Sequence, residues 1–402
     1  MKGCTQLVEG DPSSVIVSDS IAMPSLEPTE LLIRVSCAGI NQLDMIQMRG
    51  GYKVPDGASN VLGLEVSGTV VQVGKRCSKG FQEGDDVMAL LTGGGYAEFV
   101  SADERCVMPS VTGLSQAENA AIPEAFITAY GLLFFVAQIK QGDRVLVHAG
   151  ASSVGQALVQ MAYMKGAYVV ATTRSPHKID LCLRRGAAQV VVLPDSRGCS
   201  HFEHEALSAG VEGWAVPDQY LPYHAVFDPV GASYLESNVS VLHTDGSLVL
   251  YGLLGNEVED AILAPNLLKT VLFKRISILP STLRSRDIYY KADLVQCFMA
   301  DPLCGYSRLG KDCSVNGDTY SGDVTKLSRH ESERAAATAT SVSGGGGAGM
   351  VVAVDRVFPI EDVLEAHGVM RRGENVGKVV LSVSNTASAL DWFAKQLDGI
   401  KF

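Results

Sequence analysis

The sequence predicts an α/β chain built as a doubly wound parallel sheet of six strands joined to a small, partly closed β-barrel. Three observations carry this. At 402 residues the chain exceeds what one hydrophobic core usually organises, so two domains are expected. Over residues 145–178 a strand, a glycine turn, a helix and a second strand follow one another, and strands keep alternating with helices to residue 279. Before Pro123, short apolar runs are punctuated by glycine, the habit of a small barrel.

Taken in order, residues 31–35 read as a strand and residues 66–74 as a strand bent at Gly68. Residues 85–90 and 96–100 are strands flanking the turn Thr92-Gly93-Gly94-Gly95, and a helix is predicted over 125–137. The sheet opens at residues 145–147. Val154, Leu158, Met161 and Ala162 mark the buried face of the helix after it, and residues 167–171 form the second strand. Residues 190–193, 225–228, 247–252 and 276–279 supply the third to sixth strands. Residues 303–349 lose apolar periodicity and end in four glycines, which reads as a flexible low-complexity insert. Order resumes with a strand at 350–354, a helix near 360–371 and a strand at 378–381. The domains are therefore 1–126 (barrel, first part), 127–285 (dinucleotide-type sheet), 286–302 with 350–402 (return to the barrel domain) and 303–349 (insert).

A net charge of −11 argues against nucleic acid as a partner, because phosphate backbones need a basic surface. Nine cysteines without a C-x-x-C pair support neither a zinc ribbon nor a redox dithiol, and suggest free thiols in a reducing compartment. The N-terminal stretch lacks the apolar centre of a signal peptide, and no apolar run looks long enough to span a bilayer. The last three residues are not a peroxisomal signal, and the sequon at Asn238 reads as accidental. A cytoplasmic protein with no membrane association is expected.

The glycine turn carries the chemistry. Such a turn lets backbone N–H groups approach a pyrophosphate at the positive end of the following helix. The fingerprint positions are Gly150, Ser152 and Gly155, with serine in place of the middle glycine, so an ordinary strand-to-helix turn is the alternative. At the end of the second strand an NAD site usually offers a carboxylate to the ribose 2′-hydroxyl. Here stand Thr173, Arg174 and Ser175, with Lys178 beyond. A guanidinium fork, a hydroxyl and an ammonium suit a 2′-phosphate, hence NADP. The alternative is that these cations decorate a solvated helix start, where they would oppose its dipole.

Over nearly the whole chain the residues resemble a known family. The matching stretches are Gly39-Ile40-Asn41-Gln42-Leu43-Asp44, Leu62-Gly63-Leu64-Glu65-Val66-Ser67-Gly68, Ala121-Ile122-Pro123-Glu124-Ala125, His148-Ala149-Gly150, Val249-Leu250-Tyr251-Gly252-Leu253, Leu283-Arg284-Ser285-Arg286-Asp287 and Asn375-Val376-Gly377-Lys378. They resemble the zinc-independent quinone oxidoreductase, zeta-crystallin-like branch of the medium-chain dehydrogenase/reductase superfamily, and within it the stress-induced quinone oxidoreductase-like proteins. The resemblance implies a Rossmann domain and a GroES-like catalytic domain. It also implies that the zinc positions of metal-containing relatives hold Asn41 and Leu64 beside Glu65, and that the structural-zinc lobe keeps only Cys106, so no metal is expected.

The family further implies hydride transfer from NADPH, with Asn41, Asp44 and Tyr52 lining the active cleft. Asn41 would supply amide donors, Tyr52 a donor to the developing oxyanion, and Asp44 would orient them. Open alternatives are that Asn41 caps a helix, Asp44 pairs with Arg49 and Tyr52 merely packs. Thr128, the Ser152-Ser153-Val154 turn, Tyr251, Gly252, Leu253, Ser281, Leu283 and Asn375 match cofactor-lining positions. Ser153 replaces a usual glycine, and Leu193 stands where many relatives have a tyrosine beside the 2′-phosphate. The implied function is an NADPH-dependent quinone reductase. An NADPH-dependent reductase of α,β-unsaturated aldehydes or ketones is the alternative, and a non-catalytic NADPH-binding or RNA-binding protein is a third reading. The partner is a small-molecule quinone or enone, and self-association as a homodimer or higher oligomer is expected near residues 276–279.

Overall fold

The structure, a computed structural model, describes residues 1–8, 10–193, 202, 206, 222–255, 266–310 and 349–383. Its first unit is a curled antiparallel sheet. A hairpin of β1 (Gly3–Gln6) and β2 (Val15–Ser18) precedes β3 (Glu30–Gly39). Along β3, Leu31, Ile33 and Val35 are fully buried while their neighbours are half-exposed, since successive strand residues face opposite ways. Helix α1 (Gln42–Met48) follows, then β4 (Glu65–Val73), β5 (Asp86–Leu90), β6 (Phe99–Asp103) and β7 (Val107–Pro109). β3 pairs with β4 along its length, and residues Glu30–Arg34 also pair with β6. Its end, Cys37–Gly39, pairs with a strand from the far end of the chain. Three partners on one strand are what curl the sheet into a partly closed barrel.

α2 (Gln116–Asn119) is started by a capping box, Ser115 N–H donating to Glu118 Oε2 at 2.6 Å and Glu118 N–H to Ser115 Oγ at 3.3 Å. α3 (Pro123–Tyr130) begins with proline at its first position, where the missing N–H costs nothing, and runs into a π-helical turn at Gly131–Val136. The single helix expected over 125–137 is thus a composite. Gly131 faces Leu294, and a Cβ there would lie 3.2 Å from the leucine methyl. The stretch Gln116–Val136 is long and apolar enough to cross a bilayer by length and composition, which corrects the expectation of no such run. Most of it is buried inside the protein, the signature of a core helix.

The second unit is the parallel sheet. β8 (Arg144–Val147), α4 (Ser153–Met164), β9 (Tyr168–Thr173), α5 (Ile179–Arg184) and β10 (Gln189–Val192) form its first half. β11 (Tyr223–Asp228), α6 (Leu235–Val241), β12 (Leu242–Leu250), α7 (Leu267–Lys274) and β13 (Ser277–Pro280) form the second. Strand order is β10-β9-β8-β11-β12-β13 and every pairing is parallel. The central β8 is buried at all four positions, as a strand covered by helices on both faces must be. The order reverses between β8 and β11, and ligands of such sheets bind beyond the carboxyl ends of the strands there.

α8 (Ile288–Ala300) then packs Leu294, Val295 and Phe298 into the apolar cluster that also holds α3, α4 and the barrel residues Met88, Leu90 and Met108. One core therefore joins the units. The start of the proposed insert is ordered: β14 (Leu309–Gly310) pairs with β15 (Met350–Val351), Cys304 is buried, and Tyr306 Oη donates to Pro109 O at 3.1 Å. The flexible reading of 303–349 is corrected to that extent, and residues 311–348 lie outside the described residues, as do 384–402. β16 (Val354–Pro359), α9 (Val363–Arg372) and β17 (Lys378–Ser382) return to the barrel, β17 pairing with β3 and β16.

Candidate active site

At the carboxyl end of β8, Ala149 adopts φ +51° and Gly150 N–H donates to Thr172 O at 2.8 Å, turning the chain sharply into α4. Ser152 is the N-cap of α4, its Oγ accepting from Gly155 N–H at 3.0 Å. Ser153 and Val154, the first residues of that helix, keep N–H groups without intrahelical partners. Gly155 has its own reason: a Cβ there would collide with the Ala149 carbonyl and lie 2.8 Å from Gly150 Cα. The turn is a cradle closed to side chains from below and open to an anion above, and it fits a pyrophosphate.

Beneath the turn lies a buried polar chain. His148 shares hydrogen bonds with Thr172 Oγ1 at 3.0 Å and Asn238 Oδ1 at 2.8 Å, and Asn238 Nδ2 donates to Asp228 Oδ2 at 2.8 Å. Asp228 also accepts from Val230 N–H at 2.6 Å. Burial pushes His148 down to about 4 and Asp228 up to about 7. These residues lock the ends of β8, β9 and β11 together. Asn238 is fully buried, which gives the sequon there a structural role.

At the adenosine end, Arg174 is exposed at the tip of β9, and its Nη2 lies where a Cβ on Gly373 would stand. Among the described residues that guanidinium makes no hydrogen bond or ion pair. Thr173 Oγ1 accepts from Ser175 N–H at 3.3 Å, holding the corner. Lys178, read from sequence as a further charge for phosphate, is half-buried. Its ammonium donates to Gly373 O at 3.0 Å and Asn375 O at 2.8 Å, so it ties the sheet to the loop after α9. Burial and the nearby Arg174 lower its pKa. Asn375 Nδ2 donates to Gly377 O at 2.7 Å. Leu193 is buried. Tyr251 is half-buried with its hydroxyl buried and unpartnered, Gly252 packs on Pro229, Leu253 is exposed, and Ser281 N–H donates to Leu250 O at 2.8 Å. Leu283 and Thr128 are half-buried.

In the cleft between the units, Asn41 is the N-cap of α1. Its Nδ2 donates to Glu65 Oε1 at 3.0 Å and more weakly to Gly39 O at 3.4 Å, and its Oδ1 accepts from Lys378 Nζ at 2.7 Å. The amide donors expected to face substrate are therefore committed within the protein. Glu65 and Lys378, 0% and 2% exposed, form an ion pair at 2.5 Å, and Glu124 N–H donates to Glu65 Oε2 at 2.8 Å. Sequence reading missed this cluster, although Glu65 and Lys378 both fall in the family-like stretches. An amide, a leucine and a carboxylate already paired with an ammonium are not a zinc donor set. No cluster of three or more metal-binding side chains exists among the described residues.

Asp44 is wholly buried. It accepts from Asn41 N–H at 2.8 Å, Gly63 N–H at 3.0 Å and Tyr96 Oη at 3.0 Å, and it makes no pair with Arg49. Burial raises its pKa to about 6 against those three donors. It ties the start of α1 to Gly63 and Tyr96. Tyr52 is half-exposed, with the Arg284 guanidinium 5.1 Å from its ring centre. Glu124 and Thr128, one turn apart, are the two half-exposed positions of α3, so they share its open face. Glu124 Oε2 is buried without a partner, and burial with the charge of Glu65 raises the acid to about 8. A cavity of about 500 Å³ lies beside the barrel, bounded among others by Thr92 and Lys291.

Comparison with known proteins agrees with this geometry. Residues 27–128 match the alcohol dehydrogenase GroES-like domain, and residues 153–297 match the zinc-binding dehydrogenase domain. The synaptic vesicle membrane protein VAT-1 homolog-like of Homo sapiens is 39% identical over 140 residues, which are 35% of this chain and 33% of that protein, so the match spans about a third of the relative. A probable quinone oxidoreductase of Schizosaccharomyces pombe is 28% identical over 247 residues, 61% of this chain and 70% of its own. The 2-methylene-furan-3-one reductase of Solanum lycopersicum is 31% identical over 261 residues, 62% of each chain. Among solved folds, a mycobacterial protein complexed with NADPH superposes with a TM-score of 0.69 at 24% identity, covering 95% of this chain and 99% of its own. An NAD-dependent alcohol dehydrogenase also gives 0.69 at 24% identity, covering 96% and 100%.

Proposed function

Since the chain belongs to the medium-chain dehydrogenase/reductase superfamily, in its quinone oxidoreductase-like branch, we propose that it is an NADPH-dependent oxidoreductase that reduces quinones without a metal. The observation that carries the cofactor choice is the end of β9, where an unengaged Arg174 stands at a corner that offers no carboxylate to a ribose hydroxyl. NADPH held there would supply the hydride.

The chain's own residues would bind and orient. The N–H groups of Ser153 and Val154 would take the pyrophosphate, and Arg174 with Ser175 the 2′-phosphate. Lys178, tied to the loop carrying Asn375, would hold that loop against the sheet. The Glu65–Lys378 pair would keep Asn41 and the end of β3 rigid, and Asp44 would hold the start of α1 against Gly63 and Tyr96. The donor set around Asn41 supports a reaction that needs no Lewis acid, with polarisation left to hydrogen bonds.

Reduction of α,β-unsaturated aldehydes or ketones is the second reading, favoured by the resemblance to the tomato reductase. A cytoplasmic location and a homodimer joined along the edge strand β13, where Ile278 is exposed, complete the proposal. The test is NADPH and NADH oxidation with an ortho-quinone, a para-quinone and an enone. Turnover of a quinone with preference for NADPH is expected. Tight NADPH binding without turnover of any acceptor would replace it with a non-catalytic role.

A further inference from the structure

Among the described residues Arg284 is the largest fully buried side chain, 2% exposed. Its backbone is held by Lys291, whose Nζ donates to Arg284 O at 2.8 Å and to Thr92 Oγ1 at 2.8 Å. Its Nε donates to Thr92 O at 2.8 Å. That fixes one edge of the planar guanidinium and leaves the other, Nη1 and Nη2, with no hydrogen-bond partner. The carboxyl groups of Asp44 and Glu124 and the Tyr52 hydroxyl favour its charge, and the neighbouring Lys291 ammonium opposes it. Asp44 has spent its oxygens on Asn41, Gly63 and Tyr96, and Glu124 leaves an oxygen of its own unpartnered. Tyr52 covers the guanidinium with its ring face.

A guanidinium stays charged at any working pH, and burying it with two unsatisfied nitrogens costs several kcal/mol. Such an arrangement persists where an absent partner completes it. The fork lies next to Leu283 and close in sequence to Ser281, at the strand end that matches cofactor-lining positions, and under an aromatic face. We propose that the Arg284 fork binds the oxygen of a planar conjugated carbonyl acceptor and stabilises the negative charge that forms on it during reduction. This rests on the oxidoreductase reading above and assigns the donor that Asn41 does not provide.

The acceptor gains a hydride from the reduced nicotinamide, which is thereby oxidised. The incoming pair forms the new bond to hydrogen, the acceptor's conjugated π bonds shift, and one pair comes to rest on the acceptor oxygen. A proton from solvent then turns that oxyanion into a hydroxyl or, for an enone, returns the enolate to a ketone. The charge exists only after the hydride has begun to move, so Arg284 acts mainly on turnover.

The experiment compares wild type with Arg284→Met and Arg284→Lys, by acceptor kinetics, NADPH binding from fluorescence, and thermal unfolding. Arg284→Met is expected to lose about 100-fold in kcat/KM for the quinone, mostly in kcat, while NADPH affinity stays within about twofold. Its unfolding midpoint should hold or rise, because an uncompensated buried cation has been removed. Arg284→Lys, which keeps charge but not the fork, should recover about tenfold. The inference is overturned by an Arg284→Met enzyme within about threefold of wild type, by a parallel loss of NADPH affinity, or by a lowered midpoint accounting for the lost activity. If wild type itself reduces no acceptor, the oxidoreductase reading falls and takes this inference with it. An active wild type with an unimpaired variant removes this inference alone.

Discussion

Replacing Glu124 by glutamine removes a carboxyl that folding forces to hold its proton. The Glu124 side chain ends in an oxygen buried without a partner, and its own N–H donates to the second carboxylate, Glu65. Burial first, and then the charge of Glu65, lifts it from 4.5 to about 8, while Lys378 and Lys291 pull the other way. The sign follows from linkage. Between those values the folded chain binds a proton that the unfolded chain has released, so stability is greatest at low pH and is lost as pH rises toward 8.

Asp44 and Asp228, raised to about 6 and about 7, slope the same way but level off sooner. His148 and His367, both lowered to about 4, slope oppositely, and only below their ordinary value of 6.5. Above pH 7, Glu124 therefore dominates. At about 1.4 kcal/mol per proton per pH unit, flattening as its own pKa is reached, it accounts for about 1 kcal/mol lost between pH 7 and 8. That corresponds to roughly 1–2 °C in unfolding midpoint for a chain of this size. Thermal unfolding at pH 6, 7 and 8 should show a wild-type decline that Glu124→Gln largely abolishes. Parallel curves for the two proteins would refute the reasoning.

Other perturbations address the rest of the site. Arg174→Ala should raise KM for NADPH about tenfold and leave KM for NADH nearly unchanged, measured in parallel assays; equal effects remove the 2′-phosphate argument. Lys378→Met leaves Glu65 buried beside Glu124 with no cation, and should cost about 3–5 kcal/mol in chemical denaturation. Adding Glu65→Gln to it should recover most of that, and no recovery would mean the pair is not what Lys378 stabilises. Gly155→Ala forces a Cβ against the Ala149 carbonyl, so both NADPH affinity and unfolding midpoint should fall, and a variant normal in both would show that the turn has room to spare.

The parallel sheet was legible because β-branched runs, a glycine turn and helical spacing are local signals. β12 was predicted only from residue 247, yet it begins at Leu242, because Asp245 and Gly246 in its first half carry little strand propensity. The sharp turn from β8 into α4 was legible for the same local reason. The cleft was not. Asn41, Glu65 and Lys378 meet only when β3, β4 and β17 pair, and no spacing rule reveals that an amide will be spent on an internal ion pair. Lys178 was read by its charge, whereas burial and two carbonyl oxygens decide where its ammonium goes. Arg284 sat in a recognisable stretch, but its unpartnered fork is visible only once Thr92 is known to hold one edge.

The two-residue pairing of Leu309–Gly310 with Met350–Val351 has a practical meaning. Hydrogen-bonded strands lie about 4.8 Å apart, so the chain departs for residues 311–348 and comes home through a single narrow doorway. Both sheets are completed by residues outside that excursion. Chain closure across such a doorway grows costlier only with the logarithm of length. The position is therefore a docking port for engineering, where a short linker or a whole reporter domain could be spliced in without touching the machinery on either side.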